Sequence, residues 1–154
     1  MTADAERRTA QRPAKESRHY AREAALQMLY QWEVGRTSPG DSILSYWPAQ
    51  EDPEALSEEH REFANALVRG TTRRVDEIDA LIAQRAQNWR VERMAVLDRL
   101  VLRLATYELL AEPSTPPKVV INEALELTRQ YSGDEAVGFV NGVLDGVRKQ
   151  LGRE

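Results

Sequence analysis

Residues 91–111, VERMAVLDRLVLRLATYELLA, would place apolar side chains around nearly the whole circumference of a helix. At 100° per residue, Val96, Leu97, Leu100, Val101, Leu104, Ala105 and Leu109 occupy most of the circle, and the strip left over is chiefly Arg99, Arg103 and Thr106. A helix apolar almost all round is stable in water only when other elements surround it. This segment is therefore expected to be a central pillar. Asp98 and Glu108 fall inside its apolar arc, and a buried carboxylate needs a partner. An ion pair with Lys118 or Arg129 would supply one; for Asp98, nearer the helix start, a contact with another protein is the alternative.

The flanking segments provide the surrounding helices. A helix is expected from about Ser17, a suitable N-cap, to Val34, ended by Gly35 and Thr37-Ser38-Pro39-Gly40. Residues 41–53 read as a connection with one helical turn, Ile43 to Trp47. Further helices are expected from Ser57 to Gly70, from Val75 to Asn88, from Lys118 to Tyr131 and from Asp134 to Leu151. Pro113-Ser114-Thr115-Pro116-Pro117 halts the central one. No alternating strand pattern occurs, so the class is all-α: a compact bundle of about six or seven helices around a central buried helix. The chain has 154 residues, enough for one helical domain over 17–151 or for two helical subdomains within it.

Several sequence features do not serve packing. On the last helix Val137, Val140, Leu144, Val147 and Leu151 form the core stripe, while Gly138, Gly142 and Gly146 recur every four residues on another side. Each helix-interior glycine costs about 1 kcal/mol relative to alanine, so the three are expected to permit a close approach. Asn122 and Asn141 are also poor helix formers at mid-helix positions. For Asn141 a hydrogen bond between helices is the simpler reading and a ligand contact the other.

Charge is distributed unevenly. Between Arg7 and Arg22 lie six basic residues (Arg7, Arg8, Arg12, Lys15, Arg18, Arg22) and one acid, Glu16, a local net of +5 in a chain whose formal net charge is −4. A basic arm over residues 1–16 on an acidic body marks one end for a polyanion, although Arg7 and Arg8 fit a simply solvated terminus equally well. Lys15, Arg18 and Arg22 share one face if the first helix extends that far back. Its buried stripe is Ala21, Ala25, Met28, Leu29 and Trp32; Leu26 and Tyr30 point off it. Tyr30 so placed suits either a binding surface or packing beneath a loop. Cysteine is absent and only His19 and His60 occur, which excludes thiolate metal sites and leaves too few ligands for a usual zinc site or triad. With no phosphate loop and no nucleophile elbow, neither catalytic nor metal-binding residues are assigned, and no cofactor is expected. No apolar run approaches a membrane span or a signal-peptide core, which points to the cytoplasm.

Four blocks, in order, carry a resemblance: Ala21-Arg22-Glu23-Ala24-Ala25-Leu26-Gln27; Leu102-Arg103-Leu104-Ala105-Thr106-Tyr107-Glu108-Leu109; Ile121-Asn122-Glu123-Ala124; and Phe139-Val140-Asn141-Gly142-Val143-Leu144-Asp145. Together they resemble the NusB family of bacterial transcription antitermination factors, over most of the chain from about Arg18 to Asp145. The resemblance implies an all-helical protein that binds boxA RNA through a basic N-terminal region and pairs with the ribosomal protein NusE. It also implies entry into the elongating RNA polymerase complex with other Nus factors, chiefly on ribosomal RNA operons. The family's arginine-rich start corresponds to Arg18 and Arg22; because His19 and Tyr20 stand where some relatives are basic, RNA affinity would lean more on Arg12 and Lys15. Arg103 matches an arginine near the RNA, and Glu135 an acidic position near it where loss of charge favours binding. Tyr30 and Asp98 match the surface that faces NusE. Only Gly142 of the three glycines belongs to the family pattern.

Two other readings stay open at the level of sequence. NusB-like domains begin certain ribosomal RNA cytosine methyltransferases; the chain ends at Glu154 with no room for a cofactor-binding sheet, so it would be a domain separated from such an enzyme. A helical scaffold or homodimer without RNA function is the other, and monomer and homodimer are both compatible with the resemblance.

Overall fold

The computed structural model of the chain describes residues 14–87 and 89–154, with residues 14–16 described by backbone alone. Among the described residues there are seven α-helices and no strand: α1 (Ala14–Glu33), α2 (Pro39–Tyr46), α3 (Glu58–Arg73), α4 (Val75–Arg85), α5 (Val96–Ala111), α6 (Pro117–Tyr131) and α7 (Val137–Gln150). Short 3-10 turns occupy Pro53–Ala55, Val91–Arg93 and Asp134–Ala136. The chain divides into two units, one up to Arg69 and one from Gly70 to Glu154.

In the first unit α1 packs on α2. It buries Ala21, Ala24, Ala25, Leu26, Met28 and Leu29, so its covered face is wider than the expected stripe and takes in Leu26. The segment expected to be only a stop signal starts a helix instead. Ser38 Oγ accepts from Asp41 N at 3.1 Å and Pro39 occupies the first turn, so the pair caps and opens α2. Ser57 Oγ likewise accepts from His60 N at 3.2 Å, just before α3. Trp47 Nε1 donates to Asn65 Oδ1 of α3 at 2.9 Å, and the Tyr46 hydroxyl donates to Gln27 Oε1 of α1 at 2.5 Å.

In the second unit α5 packs against α4, α6 and α7. Every residue from Leu100 to Thr106 is buried, as are Glu108 and Leu109, which bears out the expected pillar. The presumed polar strip is covered too: Thr106 is fully buried and Arg103 is 8 % exposed. Arg103 owes its place to Asp79 of α4, which accepts from Nε and Nη2 at 2.8 Å each. A planar guanidinium matches a carboxylate in this fork, so the charge enters the interior neutralised.

The pillar begins five residues later than its apolar pattern suggests. After the 3-10 turn at Val91–Arg93, Met94 and Ala95 are extended, with ψ of 152° and 138°, and α5 starts at Val96. Arg99 Nη1 reaches back to the carbonyls of Val91, Glu92 and Met94 at 3.3–3.4 Å, giving this bend the partners a helix would have supplied. Asp98 pairs with neither Lys118 nor Arg129. Half-buried in the first turn of α5, it accepts a hydrogen bond from Ser132 Oγ beyond the end of α6, while Arg129 pairs with Glu126 at 3.0 Å.

The glycines of α7 also depart from expectation. A Cβ on Gly146 would lie 2.9 Å from Arg85 Cδ, so α4's side chain does approach there, but a Cβ on Gly138 or Gly142 would meet nothing within 4 Å. The close approach inside the chain occurs elsewhere. At Gly70 a Cβ would fall 2.0 Å from Tyr107 Cζ, directly in the ring.

Leu104→Ala is expected to cost about 2–5 kcal/mol in denaturant unfolding, because α5 cannot collapse around the void; a change within error would make α5 peripheral. Gly138→Ala and Gly142→Ala should each raise stability, by up to about 1 kcal/mol. Gly70→Ala should instead destabilise, since overpacking costs about 1–3 kcal/mol where side chains cannot yield. Thermal melts of the three variants check the contrast, which fails if all three shift the same way.

Candidate nucleic-acid interface

Arg7, Arg8 and Arg12 lie outside the described residues, and of Lys15 only the backbone, in the first turn of α1, is described. The described basic side chains of this segment are Arg18 and Arg22, one helical turn apart. Phe63 of α3 meets both: the Arg18 guanidinium carbon is 4.6 Å from the ring centroid and that of Arg22 5.4 Å. A cation over a ring face is attracted by its quadrupole, so one aromatic side chain holds two like charges in place. Their exposures differ sharply. Arg18 is open to solvent, whereas Arg22 is 3 % exposed. Only Arg18 of this pair presents its charge to solvent; Arg22 is covered as part of the packing.

The remaining candidates take varied positions. Arg103 is sequestered in its pair with Asp79, so its side chain offers little surface to a polyanion. Glu135 is exposed in the 3-10 turn before α7, and its carboxylate folds back over Gly133; a Cβ there would lie 2.9 Å from both carboxylate oxygens. Gly133 has φ 124°, a conformation L side chains rarely adopt, so this loop shape depends on glycine. Tyr30 is 40 % exposed on α1, as expected for a side chain off the core stripe. Asp98 is half-buried with Ser132 as its partner.

Asn122 and Asn141 are both exposed, so Asn141 is not the buried helix-to-helix hydrogen bonder that the sequence allowed. They line one shallow polar depression with Lys118, Asp145 and Arg148. Asp145 accepts from Arg148 at 2.9 Å and sits 3.1 Å from Lys149 Nζ; these two cations, Arg148 foremost, hold its carboxyl below the usual carboxylate range. Trp89 is 58 % exposed, its ring edge-on to Phe139 at 6.1 Å. Sequence reasoning passed over Trp89, Phe63 and Asp79. A buried Arg103 does imply a carboxylate nearby, but nothing in spacing picks out Asp79, and Phe63 reads equally well as core. Among the described residues no group of three His, Asp or Glu could hold a metal ion, and no helix is long and apolar enough to cross a membrane.

Comparison with known proteins matches the NusB family model over residues 19–149. The transcription antitermination protein NusB of Koribacter versatilis is 45% identical over 90% of this chain and 92% of its own length, and that of Myxococcus xanthus 42% identical over 89% and 98%. Among solved structures, T. maritima NusB is similar with a TM-score of 0.77 and 35% identity, covering 86% of this chain and 91% of its own. A structure of the antitermination factors NusB and NusE in complex with double-stranded RNA is similar with a TM-score of 0.76 and 29% identity, covering 87% of this chain and 97% of that one. Four sequence blocks in the expected order, helices that carry them, and relatives matched over nearly their full length agree: the chain belongs to the NusB family.

Proposed function

We propose that the protein is an RNA-binding transcription antitermination factor that binds boxA RNA together with NusE and supports transcription of ribosomal RNA operons within the elongating polymerase complex. The observation that carries this reading is the exposed Arg18 guanidinium, held on Phe63 at the basic start of α1. Phosphates need cations at fixed positions, and a ring that restrains the guanidinium lowers the entropy lost when it binds. Arg12 and Lys15 extend the same basic sequence, and Arg22, covered by packing, also lies over the Phe63 ring. The remainder of the chain carries a net of −9 against the +5 of residues 7–22, which confines a polyanion to this end. Arg103 then acts through the fold, by holding Asp79, and Glu135 acts as an exposed negative charge that limits affinity.

Recognition of sequence needs more than phosphates. Unstacked bases are read by aromatic faces and polar edges, and Trp89, exposed and backed edge-on by half-buried Phe139, offers an aromatic face of that kind. For NusE, Tyr30 supplies an exposed aromatic anchor, a residue type enriched where binding energy concentrates, and Asp98 supplies a charge fixed by Ser132.

Calorimetric titration of boxA RNA against a scrambled sequence, with and without NusE, tests the reading. BoxA is expected to bind at least tenfold more tightly, and more tightly again when NusE is present. Equal affinity for both sequences under both conditions would contradict an antitermination role. Tyr30→Asp should weaken NusE binding at least tenfold with unchanged helical content by circular dichroism. Unchanged affinity would remove Tyr30 from the interface.

A further inference from the structure

A groove of about 240 Å³ opens within the first unit between α1, α2 and the segment that follows α2. Its walls bring together three aromatic side chains, Tyr20, Tyr46 and Trp47, and three carboxylates, Glu23, Glu51 and Asp52. The aromatic part is rigidly held. Trp47 is tied to Asn65 at 2.9 Å, Tyr46 to Gln27 at 2.5 Å, and the two rings meet edge to face at 4.9 Å. Gln50 Nε2 adds a bond to the Tyr46 carbonyl at 3.1 Å. No lysine or arginine lines the groove. Arg61 comes near, donating to the Pro53 carbonyl at 3.4 Å, but is not part of the wall. Glu51 and Asp52 form no ion pair among the described residues.

This chemistry is opposite to that of the Arg18 surface on the same unit. Carboxylates at the rim of a low-dielectric, aromatic-walled recess repel phosphate and attract a cation, and an alkyl or guanidinium stem gains further from ring faces. We propose that the groove is a docking site for an arginine or lysine side chain of a protein partner, separate from the RNA surface. Nucleic acid is the poorer fit because a base entering here would bring its phosphate towards Glu51 and Asp52. The proposal does not depend on the RNA reading, and its test contains no RNA. In the sequence Tyr20 stood out only as a replacement for a basic residue, and Glu51 and Asp52 not at all, since the three come together only through the packing of α1 on α2.

The test uses the full chain labelled with nitrogen-15 and titrated with an acetylated Gly-Arg-Gly amide peptide. The indole N–H signal of Trp47 is the reporter, and that of the exposed Trp89 is the control. A saturable shift at Trp47 but not at Trp89 is expected, absent with the citrulline version of the peptide. The double variant Glu51→Gln, Asp52→Asn should weaken binding at least fivefold while leaving the fold intact by its remaining amide signals. No saturable shift, or an equal one with citrulline or with the double variant, overturns the proposal. A larger Trp47 response to adenosine monophosphate would assign the groove to a nucleobase instead. A Trp47 shift caused by Arg7→Ala, Arg8→Ala and Arg12→Ala together, with no peptide present, would assign it to the chain's own basic end and equally overturn the partner.

Discussion

Burial of α5 on every side is the constraint from which the second unit is built, and the Arg103–Asp79 ion pair is what lets an arginine share it. From Leu100 to Thr106 no face of the helix is left for solvent, so Arg103 has to enter with the rest. An unpaired guanidinium there would cost several kcal/mol, on the order of the penalty for breaking a buried pair. The two-pronged bond that Arg103 donates to Asp79 offsets that cost and at the same time fixes α4 against α5 at one register. The loop before the helix follows the same logic: Arg99 reaches back to the carbonyls of Val91, Glu92 and Met94 where the chain runs extended through Met94 and Ala95. Two arginines on the polar strip thus serve the interior, and they do so because a guanidinium has more donors than any other side chain.

The same residue type recurs at the start of α1, where Phe63 is shared by a covered and an exposed arginine. Arg22 and Arg18 share one ring, yet one is covered and the other open. A pair of this kind gives a charged surface some rigidity: the buried member positions the ring, and the ring restrains the exposed member. It also means that a count of basic residues overstates the charge open to solvent: of this pair only Arg18 is exposed.

Much of the fold was legible in the sequence because its helices are long, separated by proline or glycine, and marked by a 3.6-residue period. The central helix, the absence of strands and the core stripe of α7 could all be read from side-chain spacing. What could not be read was set by contacts distant along the chain. The burial of Arg22 depends on Phe63, 41 positions away, and that of Arg103 on Asp79, 24 positions away. Ser38-Pro39 is ambiguous for a local reason, since the same two residues can end one helix or open the next, and which they do is decided by whether Ile43 finds a core. The Asn and Gly residues of α6 and α7 were singled out correctly as unsuited to a helix, but at Asn141 and Gly142 the expected internal partner is missing: both face outward. Their cost in helix propensity is not recovered within the chain, which places the reason for them on its surface.

The division of labour between Arg18 and Arg22 can be measured directly through the salt dependence of RNA binding. For single-stranded RNA, each phosphate neutralised contributes roughly −0.7 to the slope of log K against log salt. Arg18→Ala should make the slope for boxA RNA shallower by about 0.7 while leaving thermal stability nearly unchanged. Arg22→Ala should leave the slope where it was and lower the melting temperature, because it uncovers Phe63 and empties a packed position. Equal slope changes for the two variants, or an unchanged slope for Arg18→Ala, would contradict the placement of the RNA contact on the exposed guanidinium.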